Sequence, residues 1–117
     1  RARRWKSPSA VAADMAGSSS IKVRTQLRKG ALTVRALIRH PMEVGRRLDS
    51  GERVPSHFIT RVVCTLNADT VLDADWGGGV AKDPYLSFVV DGAQTGDRLT
   101  IRWVDNQDGH DELSVGI

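Results

Sequence analysis

The chain has 117 residues, of which 40% are hydrophobic and 26% are charged, so it is long enough for one globular domain with a single core. No apolar run approaches the roughly 18 residues of a membrane-spanning helix, and we predict no membrane span. The net charge of +3 lies in residues 1–14, which hold four basic side chains and one acidic side chain. The rest of the chain is neutral and has no basic excess to displace counterions from a phosphate backbone, so we predict no nucleic-acid binding.

The first segment, residues 1–20, has few large apolar side chains and ends in a Gly-Ser run. This composition predicts a disordered N-terminal arm, followed by one domain over residues 21–117. Arg3 and Arg4 resemble the start of a twin-arginine export signal, but no apolar region of about 7–15 residues follows, so we predict no signal peptide. The residues leave open whether the arm is native, a tag or a linker of a fusion.

From residue 21 onwards, apolar and polar side chains alternate with a period of two, which is typical of strands with one buried face. A turn at residues 29–30 predicts a hairpin between the first two strands. A long polar segment at residues 40–58 breaks the period. The inward positions are expected to be Ile21, Val23, Thr25, Leu27; Leu32, Val34, Ala36, Ile38; Val62, Cys64, Leu66; Leu72, Ala74, Trp76; Leu86, Phe88, Val90; Leu99, Ile101, Trp103; and Leu113, Val115, Ile117.

Seven short strands without helical periodicity predict an all-β fold, an immunoglobulin-like antiparallel β-sandwich. A small barrel is the alternative. The core is expected to rely on Val, Leu and Ile, with Trp76, Trp103, Phe58 and Phe88 as its large fillers. The one cysteine, Cys64, cannot form an intramolecular disulfide or a Cys-rich zinc site, and its strand position predicts a core residue.

The stretch WGGGVAKDPY, residues 76–85, has neither the glycine spacing nor the following helix that a phosphate-binding loop needs. We therefore predict a glycine-rich loop between two strands, in which glycine permits close approach of another backbone. No cofactor is predicted.

Three histidines, His40, His57 and His110, all fall in predicted loops. The pattern HPM at 40–42 and HFI at 57–59 is similar to the iron-ligand pattern of superoxide reductase, an iron enzyme on a similar sandwich. That family adds a late Cys-x-x-His motif, and the corresponding region here, DNQDGHDEL, contains no cysteine. No metal site is our main prediction, and iron held by His40 and His57 is the alternative. His110 beside Asp108 and Asp111 is the nearest approach to a catalytic base, but we favour a solvated loop, since loops gather such residues in any case.

Four segments in one order carry a family resemblance: RALIRHPMEVGRR at 35–47, VPSHFITRV at 54–62, WGGGVAKDPYLSF at 76–88 and GDRLTIRWVDNQDG at 96–109. Together they resemble the SoxZ family, the Z subunit of the SoxYZ sulfur-oxidation carrier. The resemblance implies a non-enzymatic subunit that binds a SoxY-type carrier, whose C-terminal cysteine carries sulfur derived from thiosulfate, and that transiently meets other Sox enzymes. It also implies a periplasmic location, with export on the partner's signal.

We expect the glycine-rich loop and the HPM segment to be exposed elements at or near the partner surface, with Trp76 or Tyr85 as aromatic anchors. An equally simple interpretation places Trp76 in the core, in phase with Leu72 and Ala74. The predicted partner-binding residues are Met42, Trp76, Gly77, Gly78, Gly79, Val80, Lys82, Pro84 and Tyr85.

Overall fold

The computed structural model describes residues 20–117. Most of these residues fold into two antiparallel sheets that pack face to face. The strands are β1 (Ile21–Arg28), β2 (Ala31–Ile38), β3 (Leu48–Asp49), β4 (Glu52–Arg53), β5 (Ile59–Leu66), β6 (Asp69–Asp75), β7 (Tyr85–Asp91), β8 (Arg98–Asp105) and β9 (His110–Gly116). Sheet I has the order β1-β2-β7, sheet II has the order β6-β5-β8-β9, and β3 and β4 form a separate hairpin. The predicted all-β immunoglobulin-like sandwich is confirmed. No helix capable of spanning a membrane occurs in this part of the chain.

The predicted hairpin between β1 and β2 turns at Lys29 and Gly30, whose φ angles are 51° and 79°. Positive φ at both central residues matches the right-handed twist of the paired strands, and glycine takes this conformation without steric cost. The register therefore runs without interruption from Ile21 opposite Ile38 to Arg28 opposite Ala31.

The core lies between the inner faces of the two sheets, and β2 and β8 contribute seven of the sixteen buried hydrophobic residues in the described part of the chain. Every second residue of these strands is buried, as the period of two predicts. They are Leu32, Val34, Ala36, Ile38, Leu99, Ile101 and Trp103. Burial of one such Leu or Ile side chain stabilises a fold by about 1.5–3 kcal/mol.

The prediction of four aromatic core fillers is correct only for Trp103, which is buried. Phe58, Trp76 and Phe88 are half-buried and pack against the periphery of the core. Phe88 lies on β7, an edge strand of sheet I, and Trp76 follows β6, an edge strand of sheet II, so each has neighbours on fewer sides than a central residue. The polar segment at 40–58 also contains the hairpin β3–β4, which its sequence pattern did not reveal.

At one side of the sandwich β1 lies beside β9. Ser20 joins the sheets there, because its hydroxyl donates to Asp111 Oδ2 at 2.5 Å and accepts from Trp103 Nε1 at 3.1 Å. Ser20 is the last residue of the predicted disordered arm, and residues 1–19 of that arm lie outside the described residues. The opposite side of the sandwich ends in β7 and β6, which residues 76–84 connect.

Candidate functional site

Residues 76–84, here called the glycine loop, lie against residues 40–44, here called the HPM segment. The backbone N–H of Asp83 donates to the carbonyl oxygen of His40 at 3.0 Å, and the N–H of His40 donates to Asp83 Oδ1 at 3.0 Å. These two segments, 32 or more positions apart in sequence, are thus joined at one end of the sandwich. The structure brings together the two regions that we expect to meet a partner.

The predicted partner-binding residues differ in exposure. Tyr85 is 62% exposed, whereas Met42 is 6% exposed. Of the others, Gly77, Gly79 and Lys82 are exposed, Trp76, Gly78 and Val80 are half-buried, and Pro84 is buried. The expected exposure of Met42 is therefore wrong: its sulfur lies 3.4 Å from the backbone N–H of Ile59, inside the core. Partner binding by the whole set stays a prediction.

Trp76 faces the core along part of its surface. It follows the last residue of β6, its N–H donates to the carbonyl oxygen of Thr60 at 2.9 Å, and its ring packs against the buried cluster while remaining half-exposed. Tyr85 is consequently the more accessible of the two predicted anchors.

Only one glycine of the three in the loop is required by packing within the described chain. A Cβ on Gly78 would lie 2.5 Å from Val44 Cγ1, closer than real Cβ atoms approach. A Cβ on Gly77 or Gly79 would meet nothing within 4 Å. The outer side of the loop therefore offers bare backbone to solvent at two positions.

His40, the first residue of the HPM segment, and His57 converge on Asp105. The Nε2 atoms of His40 and His57 lie 2.9 and 2.8 Å from Asp105 Oδ2, and the two ring centroids are 4.6 Å apart. His40 and Asp105 are buried, while the His57 side chain is one-third exposed. We call these three residues the histidine cluster.

The second carboxylate oxygen of Asp105 holds the turn between β8 and β9. Oδ1 accepts the backbone N–H of Gln107 at 2.9 Å and that of Gly109 at 2.7 Å. Burial by itself raises the pKa of Asp105, but the hydrogen bonds from His40, from these two amides and from His57 outweigh it and lower the pKa to about 2. Asp105 is therefore an ionised carboxylate with both oxygens occupied.

The histidine cluster has the residue types of a metal site, since its three ligand atoms lie within 4.8 Å of one another. The hydrogen bonds of His40 argue against one, however. Its Nδ1 accepts the backbone N–H of Met42 at 3.1 Å, which places the imidazole proton on Nε2. A protonated Nε2 donates to Asp105 and has no lone pair for a metal. In this arrangement the cluster fits a buried hydrogen-bond network better than an iron site.

His110 takes no part in the cluster. It is exposed and begins β9, so the prediction that it lies in a loop is wrong. Asp105, by contrast, was not singled out from the sequence. A signal was available, because an Asp followed by Asn and Gly is typical of a turn that the Asp side chain stabilises.

Cys64 is fully buried on β5, as predicted. Burial raises the pKa of its thiol to about 12. A thiol in this environment is neutral at physiological pH and is shielded from reagents, so it is a poor nucleophile.

These features define the class of the protein: an antiparallel two-sheet β-sandwich with a buried carboxylate–histidine network and a glycine-rich loop at one end. The crystal structure of a hypothetical protein from Pyrococcus horikoshii OT3 has a similar fold, with a TM-score of 0.62 and 14% sequence identity over 84% of this chain and 87% of that chain. No curated protein matches the chain significantly. The family model described as sulphur oxidation protein SoxZ matches residues 21–115, and the chain belongs to the SoxZ family.

Proposed function

We propose that the chain is the non-catalytic Z-type subunit of a periplasmic sulfur-compound carrier. In this role it binds and stabilises a SoxY-type subunit, whose C-terminal cysteine carries the sulfur group, and it helps to present that cysteine to Sox enzymes. Its contribution is packing rather than chemistry, and no cofactor takes part.

One observation carries this proposal: a chain of a sulfur-oxidation family has a single cysteine, Cys64, and that cysteine is buried with a raised pKa. Covalent sulfur transfer needs an accessible thiolate. A partner that supplies the thiolate satisfies this need, which supports a division of labour between two subunits.

The first test is mixing of the purified chain with a Y-type subunit from the same organism, followed by exposure to thiosulfate and the oxidising Sox enzymes. We expect a stable heterodimer in size-exclusion chromatography and, in intact-mass spectra, a sulfur adduct on the partner alone. A Cys64→Ala variant is the control and should assemble and load as the wild type does. A sulfur adduct on Cys64, or no association, contradicts the proposal.

The alternative function is a superoxide-reductase-like iron protein using His40 and His57. The convergence of these side chains with Asp105 favours it, and the hydrogen bond from the Met42 N–H to His40 Nδ1 opposes it. Metal analysis of the purified protein separates the two proposals, because stoichiometric iron with a visible charge-transfer band would establish the alternative.

A further inference from the structure

The strand β7 presents an open edge to solvent. Two hydrogen bonds fix its phase: the N–H of Ile38 donates to the carbonyl oxygen of Pro84, and the N–H of Gly92 donates to that of Gly30. Since bonded and non-bonded pairs alternate along an antiparallel ladder, the even-numbered residues of β7 bond to β2. The backbone N–H and C=O groups of Tyr85, Ser87 and Val89 therefore point away from β2, where no other strand of the described residues pairs with them.

This edge lacks the features that usually protect an edge strand from pairing with another chain, which are charged side chains, proline and bulges. Between Tyr85 and Val90, β7 has no charged residue and no proline, and its pairing with β2 has no register shift. Tyr85 and Val89 on its outer face are 62% and 61% exposed.

The other three edges of the two sheets are protected by charge, and the pairing of β6 also shifts register between Cys64 and Thr65. Their charged or titratable side chains are Lys22, Arg24 and Arg28 on β1; Asp69, Asp73 and Asp75 on β6; and His110, Asp111 and Glu112 on β9. Among the four outer edges of the two sheets in the described residues, only β7 remains suited to accept an added strand.

The outer face of sheet I beside this edge is basic. Its strands carry four basic residues and one acidic residue, Asp91, at the end of β7. Arg24 and Arg35 stand directly opposite each other, and the row continues to the small side chain of Ser87. Strands in a sheet are about 4.8 Å apart, so the long side chain of Arg35 can reach across Ser87 to a strand added beyond β7.

We propose that an extended segment of the Y-type subunit pairs with the β7 edge as a fourth strand of sheet I. The segment carries an acidic side chain in the row of Arg35 and apolar side chains beside Tyr85 and Val89. This inference rests on the proposed function and names the surface and the partner chemistry that the function leaves open.

A second copy of the chain fits this edge less well. Antiparallel pairing of two β7 strands forms one continuous sheet in which both outer faces point the same way, so it brings two basic faces side by side. Like charges on neighbouring strands oppose pairing, whereas an acidic segment complements the face.

The test is a pair of substitutions at Ser87. Ser87→Pro removes an outward N–H without removing a bond to β2, and edge strands tolerate proline. We expect its affinity for the purified Y-type subunit to fall at least about tenfold, because one ladder hydrogen bond is lost and the proline ring obstructs the added strand. Ser87→Ala keeps the N–H and should bind within about twofold of the wild type. Circular dichroism and thermal unfolding of both variants verify the fold.

A measurement on the unmodified chain supplements the variants. Amide hydrogen exchange by NMR should show that the N–H groups of Tyr85, Ser87 and Val89 exchange rapidly in the free chain and slowly in the complex. If the complex forms but neither these amides nor Ser87→Pro respond, the surface is wrong while the proposed function stands. If the wild type does not bind the Y-type subunit, the proposed function fails and the inference fails with it.

Charge reversal tests the chemistry of the partner segment. Arg35→Glu should weaken association several-fold, and raising the salt concentration should weaken the wild-type complex but leave the complex of this variant less affected. If Arg35→Glu binds the Y-type subunit as tightly as the wild type does, the proposal that the paired segment is acidic is wrong. A homodimer of the free chain that Ser87→Pro dissociates overturns the choice of occupant.

Discussion

Asp105 joins three separate parts of the chain, because its two carboxylate oxygens accept hydrogen bonds from His40, His57 and two amides of the following turn. Gly109 completes this arrangement, since a Cβ there would lie 2.5 Å from Asp105 Oδ2. The carboxylate therefore determines both the position of the HPM segment and the shape of the β8–β9 turn.

Replacement of this carboxylate by an amide, Asp105→Asn, is expected to destabilise the protein by about 2–4 kcal/mol. The reason is that the amide NH₂ would face N–H groups that are themselves hydrogen-bond donors, so those donors would lose their acceptor. Urea unfolding followed by fluorescence measures the difference. Asp108→Asn is the matched control: Asp108 is exposed in the same turn with a φ of 61°, which Asn tolerates, so its effect should stay within about 0.5 kcal/mol. Equal effects of the two substitutions would disprove a special role for Asp105.

The sequence allowed prediction of His40 and His57 as a pair but not of their common partner. Asp105 is 65 and 48 positions away from them, and no local pattern indicates which remote side chain meets a given histidine. The proton position on His40 likewise depends on the N–H of Met42, whose φ of 49° is rare for a residue other than glycine, asparagine or aspartate.

At the scale of strands, the two sheets distribute their charges differently. The outer face of sheet II contains opposite charges in contact, such as Arg61 with Asp73 at 2.6 Å and Arg102 with Glu112 at 3.6 Å. Sheet I places Arg24 opposite Arg35, and no described residue forms an ion pair with either. Like charges directly opposite each other destabilise a pair of strands, which is consistent with a face arranged for another molecule.

The same substitution should therefore have opposite effects on the two sheets. Arg35→Glu is expected to raise the free energy of unfolding of the isolated chain by about 0.5 kcal/mol at low salt, because it replaces a repulsion by an attraction. Arg102→Glu is expected to lower it by a similar amount, because it places two acids opposite each other. Thermal unfolding at low and high salt measures both shifts, and salt should reduce both. A destabilising effect of Arg35→Glu would contradict this account of sheet I.

Strand positions were predictable because alternation of apolar residues follows directly from the pleat, and β2 and β8 are buried at every second residue as expected. The depth of burial was not predictable from alternation alone. Leu86, Phe88 and Val90 keep the predicted phase on β7, yet all three stay half-buried because their strand is an edge.

At the scale of the whole molecule, the described domain has equal numbers of acidic and basic side chains, so its response to acid depends on individual carboxylates. The pKa of Asp105 is lowered to about 2 in the folded protein, against about 3.9 for an unfolded Asp. The Asp105 carboxylate therefore binds a proton less readily in the folded state than in the unfolded state. The stabilisation is therefore complete above the unfolded pKa and is lost as the pH falls through the folded pKa.

We expect the free energy of unfolding to fall by on the order of 2 kcal/mol between about pH 5 and about pH 2 from Asp105 alone. Urea midpoints across this range test the expectation, with Asp105→Asn as the control that should show a flatter profile. A wild-type profile as flat as that of the variant would refute it. The exposed carboxylates whose pKa values are also lowered add to the slope in the same direction: Glu43, Asp73 and Asp97.

The contacts of Ser20 and Asp105 also bear on the order in which the protein folds. The β1–β2 hairpin closes a two-residue turn, whereas Ser20 contacts Trp103 across 83 positions and His40 contacts Asp105 across 65. Closing such long loops costs chain entropy that only a largely assembled sandwich repays, so we expect these hydrogen bonds to form after the main folding barrier has been crossed. Interactions formed that late hardly influence the rate of folding, but they slow unfolding. The histidine cluster and the Ser20 contacts are therefore expected to act chiefly on the lifetime of the native state.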